Sequence, residues 1–190
     1  MKKVLPVLAV FCLLAAGGCG GADPGVRRDS PAMEKELFEV SITLPAVDPE
    51  DVDSAVAEAE ELGIERVLVN DDGSVTCEMS RSVHSRIMKE MRESFAETAE
   101  ELKNDPDFPS IKDVAYNNKL TAVTLIVDRE MYEDSLDAFV VFGLGLAAVR
   151  YQLFDGVKAD KLAVTIDLAD FGTGRVFSSM VFPDALEDDS

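Results

Sequence analysis

The chain has 190 residues, with 37 acidic against 18 basic side chains and a formal charge of −19. So acidic a surface excludes nucleic-acid binding and a polybasic grip on anionic lipid, because both need clustered Lys and Arg. The charge serves solubility, with loose attraction of Ca²⁺ or of cationic partners as the alternative.

The chain begins Met1-Lys2-Lys3, continues through an apolar stretch from Val4 to Ala16 interrupted by Pro6, and reaches Ala16-Gly17-Gly18-Cys19. Two lysines, a short apolar run and small residues before a cysteine form an export signal rather than a structural helix, and the run is too short to span a bilayer comfortably. This segment resembles the signals of bacterial lipoproteins. The resemblance implies a diacylglycerol-bearing thiol at Cys19, cleavage between Gly18 and Cys19, and membrane attachment through that lipid. Ala16 stands where the family pattern usually carries Leu, which leaves ordinary signal-peptidase cleavage and a secreted product as the alternative. Removal of residues 1–18 takes away Lys2 and Lys3 and no acid, leaving 16 basic and 37 acidic residues, a charge of −21. Cys12 leaves with the signal and Cys19 carries lipid, so Cys77 remains alone and the domain must be stabilised by its core.

Residues 19–35 comprise the lipidated Cys19 and a flexible tether, rich in Gly, Pro and charge from Gly20 onward. A single domain is expected over 36–185, followed by an acidic tail over 186–190. In Leu37 to Leu44, Phe38, Val40, Ile42 and Leu44 alternate as the inner face of a strand, which Pro45 ends. Asp48, as N-cap, and Pro49, at the first helical position, start a helix over 50–63. Val52, Val56, Ala59 and Leu62 form its buried stripe, and Gly63 stops it. Arg66 to Val69 and Ser74 to Met79 are strands around Asn70-Asp71-Asp72-Gly73, where Asp-Gly supplies the positive φ angles of a hairpin.

Ser80 or Ser82 caps a helix over 80–103 with the inner stripe Val83, Ile87, Met91, Phe95 and Leu102, and Asp105 to Pro109 breaks it. A second hairpin joins Ile111–Tyr116 to Leu120–Val127 around Asn117-Asn118. Asp128 caps a third helix over 130–155, stopped by Gly156. The last hairpin joins Leu162–Leu168 to Arg175–Phe182 through Phe171-Gly172-Thr173-Gly174. The expected fold class is α+β: an antiparallel sheet of about seven strands, built from a leading strand and three helix-hairpin units, with helices on one face.

The third helix holds a dozen uncharged residues from Ala138 to Val149. A helix apolar all round must be covered all round, so it is the central core helix, or part of a pocket or dimer seam at Phe142, Gly143, Gly145 and Leu146. Each glycine costs helix propensity, roughly 1 kcal/mol against Ala, which suggests close approach by another backbone or a ligand. Gly143-Leu144-Gly145 lies inside a helix and is no dinucleotide fingerprint.

His84, Met88 and Met91 sit at helical spacing and, with Met79 upstream, offer soft ligands to Cu(I). The competing reading is that the methionines fill core gaps and His84 is a surface or cap residue. The stretch Asn70 to Gly73 fails as a calcium loop: with Gly73 at the sixth position, Leu68 and Met79 fall where carboxylates are required. The acids Asp48, Glu50, Asp51 and Asp53 are explained by helix capping. No Gly-x-Ser-x-Gly elbow accompanies a serine, His84 is the one histidine, and the lack of Trp removes the usual sugar-stacking platform. Cys77 alternates inward with Val75 and reads as a small core residue.

Beyond the signal, FEVSITLP, NDDGSVTCEMS and the closing hairpin look like the small acidic lipoproteins of Gram-positive bacteria that have no assigned function. That resemblance implies an outer-leaflet location and no activity. The expectation is a lipid-anchored extracytoplasmic protein, a non-catalytic binding or interaction module needing no cofactor. Its partners are the membrane through the N-terminal lipid, a protein or small ligand, or a second copy of itself. The alternative is a metal-dependent or carboxylate enzyme, or a copper-handling protein using the His/Met set.

Overall fold

A computed structural model describes residues 40–46 and 51–184. The signal, Cys19, the tether, Phe38, the Asp48-Pro49 helix start and the acidic tail lie outside the described residues.

Strand β1 (Val40–Leu44) keeps the expected alternation, with Ile42 buried between exposed Ser41 and Thr43. Helix α1 (Val52–Glu61) turns Ala59 into the core. Strands β2 (Arg66–Val69) and β3 (Val75–Met79) flank a turn in which Gly73 has φ +81°, a conformation a Cβ disfavours. Helix α2 (Arg81–Leu102) starts at Ser80, whose hydroxyl accepts from the Val83 amide. Strands β4 (Ile111–Tyr116) and β5 (Ala122–Val127) form the second hairpin. Helices α3 (Arg129–Glu133) and α4 (Ala138–Phe154) follow, then β6 (Val164–Asp170) and β7 (Val176–Phe182).

The architecture is α+β, but the single seven-stranded sheet is not formed. Three strands in the order β1-β3-β2 make one sheet and four in the order β4-β5-β6-β7 make another. The separation follows from α2: its 22 residues carry the chain about 33 Å from β3 before β4 begins. Near its start Ile87 joins Ile42, Val75, Cys77 and Met79 in a first core, whereas Phe95, Ala99 and Leu102 join β4, β5 and β6 residues in a second. One helix thus contributes to both cores, its start to that of the three-stranded sheet and its end to that of the four-stranded sheet.

The all-antiparallel expectation also fails at one junction, since β5 and β6 run parallel, with Ala122 opposite Thr165 and Val127 opposite Asp170. A hairpin loop reverses direction, but a helical crossover returns the chain to the strand's starting end. The segment holding α3 and α4 is such a crossover.

The third predicted helix is broken. Ser135 donates its hydroxyl hydrogen to the Tyr132 carbonyl at 3.0 Å and accepts from the Asp137 amide at 3.1 Å, and Asp137 is held by Ser110. Ser and Asp side chains that bond locally to backbone compete with helix continuation. The chain therefore leaves α3 at Asp134 and restarts as α4 at Ala138.

Candidate functional site

Helix α4 is where the apolar sequence and the fold meet. Val141, Leu144, Gly145, Ala148, Tyr151 and Gln152 turn inward and are buried, and Phe154 closes the first core. At its beginning the covering stops: Leu136 is 77% and Phe139 71% exposed, and nothing lies within 4 Å of where a Cβ on Gly143 would be. Leu136 lies in the bend just before α4, and Phe139 and Gly143, spaced i and i+4 within it, share one side of the helix start. The exposed acids Glu130, Glu133 and Asp134 precede it in the chain, and Arg129 pairs with Glu133 at 2.8 Å.

The four residues expected to make a pocket or seam divide. Phe142 meets Phe182 edge-on at 5.8 Å, and a Cβ on Gly145 would sit 2.8 Å from the Phe182 ring. These two therefore belong to internal packing with β7. Gly143 opens outward, and Leu146 is half-buried.

His84 sits in the first turn of α2 with Nε2 2.7 Å from the Phe154 carbonyl oxygen. A carbonyl only accepts, so Nε2 carries a proton and ties α2 to the end of α4. Met88 and Met91 are half-buried and pack against both cores, while Met79 is fully buried. Cys77 is 3% exposed, and burial pushes its thiol pKa up. Among the described residues, no three or more His, Cys, Asp or Glu side chains converge as a metal-holding group.

The turn acids are engaged locally. Asp72 accepts from the Ser74 hydroxyl at 2.6 Å and amide at 3.0 Å, and Asp170 accepts from the Thr173 hydroxyl at 2.5 Å and amide at 2.7 Å. These bonds favour the ionised form and hold both carboxyls below the ordinary aspartate range. Arg92 donates to the Tyr151 hydroxyl at 2.5 Å and lies 5.6 Å from that ring's centroid; the bond to Tyr151 raises its already high pKa.

Three buried polar residues carried no local sequence signal. Ser110 donates to the Asp137 carboxylate, and the Gln152 amide donates at 3.2 Å to both the Leu120 and Ala163 carbonyls. Gln152 thereby fastens the β4–β5 turn, where Leu120 has φ +51°, to the entry of β6. Among the described residues, no buried side-chain nitrogen or oxygen lacks a hydrogen-bond partner, and no helix is long and apolar enough to cross a membrane.

No protein-family model and no curated protein matches this chain.

Proposed function

We propose that this chain is a lipid-anchored, extracytoplasmic interaction module whose contact face is the start of α4. The address rests on the Met1–Cys19 segment. The observation that carries the interaction role is the exposure of Phe139 in the first turn of α4 together with Leu136 in the bend just before it. Isolated exposed apolar residues are ordinary, but an aromatic and a leucine three residues apart at one helix start offer a partner two anchors. The exposed acids Glu130, Glu133 and Asp134 precede them in the chain, which is strongly acidic overall. The complementary partner is a protein segment presenting apolar side chains framed by Lys or Arg.

An amphipathic Lys/Leu peptide serves as the probe. Binding to the full chain is expected to weaken as salt rises, to vanish in the double variant Leu136→Ser, Phe139→Ser with its melting temperature unchanged, and to be absent for a Glu/Leu peptide. Equal binding by the double variant would show mere charge attraction and defeat the assignment. The address is tested separately: Cys19→Ser should move the protein out of the detergent phase or leave it uncleaved, and unchanged partitioning refutes lipid attachment.

A further inference from the structure

The turn ahead of α4 buries its charge and exposes its hydrocarbon. Asp137 is 3% exposed, whereas Leu136 before it and Phe139 after it stand in water. Ordinary burial sorts such residues the other way, since a carboxylate away from water is costly and apolar side chains gain by being covered. The three share one turn, closed by the Phe139 amide donating to the Leu136 carbonyl at 3.1 Å. Ser135 holds the main chain there, accepting from the Asp137 amide at 3.1 Å, but the carboxylate is held by Ser110. The Ser110 hydroxyl, itself fully buried, donates to that carboxylate, and the Ser110 carbonyl accepts from the Asp128 amide at 2.8 Å. Asp128 is the N-cap of α3 and Asp137 the N-cap of α4, so one residue just before β4 holds both caps. The two helices need separate starts. Tyr132 and Val141 both enter the second core, yet nine positions at 3.6 residues per turn would set them on opposite sides of one continuous helix.

We infer that Ser110 is a positioning residue for this face: by drawing Asp137 inward it keeps Leu136 and Phe139 in water, and without its hydroxyl the order inverts. A buried carboxylate left without its donor carries the full cost of desolvation, so it turns out to solvent. The space it vacates lies next to two exposed apolar side chains, and covering their carbon is favourable. They move in as the charge moves out. The consequence for binding rests on this face being the contact site; the orientation itself does not.

The chain has no tryptophan, so Phe139→Trp in the full chain places a single emitting reporter on the face. Its emission is expected at long wavelength, with ready quenching by acrylamide. Adding Ser110→Ala should shift the emission to shorter wavelength and reduce quenching while the far-ultraviolet circular dichroism stays that of the folded chain, a response that lost stability alone does not give. Asp137→Ala cuts the same bond from the other side and should give the same shift; it decides the matter if Ser110→Ala fails to fold. Ser110→Ala with Asp137→Leu fills the buried space with an apolar side chain branched as aspartate is, and should return the emission to long wavelength. Unchanged emission and quenching in the folded single variants overturn the inference, and so does emission that stays shifted in the double variant. With Phe139 restored, affinity for the Lys/Leu peptide should fall about tenfold or more in Ser110→Ala, because two anchors are withdrawn. Shifted emission with undiminished peptide binding upholds the role of Ser110 and refutes the contact-face reading; lost binding with unchanged emission overturns the role of Ser110.

Discussion

Gly143 and Gly145 lie two residues apart in the same helix, and the structure assigns them opposite responses to one added methyl group. At Gly145 a Cβ would lie 2.8 Å from three atoms of the Phe182 ring, which is fully buried and set edge-on against Phe142. A ring held on both sides cannot swing away, so the methyl overpacks the junction of α4 and β7 at a cost of about 1–3 kcal/mol. Alanine's higher helix propensity returns about 1 kcal/mol, leaving a net destabilisation of roughly 0–2 kcal/mol. At Gly143 the same methyl meets nothing within 4 Å, so only the propensity gain of about 0.5–1 kcal/mol remains. The two variants should differ by roughly 1–3 kcal/mol, or about 3–9 °C in melting temperature for a domain of this size. Urea and thermal unfolding of Gly143→Ala, Gly145→Ala and the unaltered chain measure it. Adding Phe182→Leu should relieve the Gly145→Ala penalty non-additively by at least about 0.5 kcal/mol, because the substituted groups touch. A Gly145→Ala variant as stable as Gly143→Ala, or strict additivity with Phe182→Leu, would refute the packing argument.

Hydrogen bonds from Thr173 and Ser74, and the Lys103 ion pair, depress the pKa values of Asp170, Asp72 and Asp113 respectively in the folded state. Depressed carboxyls contribute stability that is present above the unfolded value of about 3.9 and lost as pH falls through the folded values. Asp170→Asn should therefore lower the urea midpoint at pH 7 and converge on the unaltered chain below about pH 4; parallel profiles at every pH would contradict this. Ser110→Ala leaves the buried Asp137 carboxylate without its hydroxyl donor and should cost about 1–3 kcal/mol, read as a shift in the urea midpoint. With Cys12 and Cys19 replaced by Ser, the Cys77 thiol should react with an aromatic disulfide reagent only on unfolding, at a rate that rises with urea; immediate stoichiometric reaction in buffer would show the site open.

What the sequence disclosed about the fold was whatever local chemistry decides. Asp72-Gly73 marked its hairpin because a positive φ at Gly73 is a property of that residue, and Ser80, one of two serines that could cap α2, marked its start because a hydroxyl there can reach the Val83 amide. Strand direction is not local. Val123, Leu125 and Val127 alternate identically whether β6 runs with β5 or against it, so periodicity carried no information on the parallel pair that the helical crossover imposes. The break between α3 and α4 was hidden similarly. Ser135 and Asp137 are ordinary polar residues ahead of the apolar run until Ser110, 27 positions before Asp137, takes hold of the Asp137 carboxylate.

The candidate site shows the same division between what spacing encodes and what packing decides. Spacing placed His84, Met88 and Met91 along one stretch of α2, but only the position of α4 determines that the His84 ring proton goes to the Phe154 carbonyl. Two glycines in an apolar helix signalled close approach by a backbone or a ligand; Gly145 instead meets the Phe182 side chain and Gly143 meets nothing within 4 Å, because the pattern could not say which side of α4 would meet Phe182. The exposed pair was legible only in hindsight. Leu136 and Phe139 are as apolar as the buried Val141 and Leu144, and hydrophobicity alone assigns all four to the core. A helix apolar on every side needs covering on every side. The fold supplies that cover along the inner face of α4 and to Phe154 at its end, and leaves Phe139 in its first turn exposed.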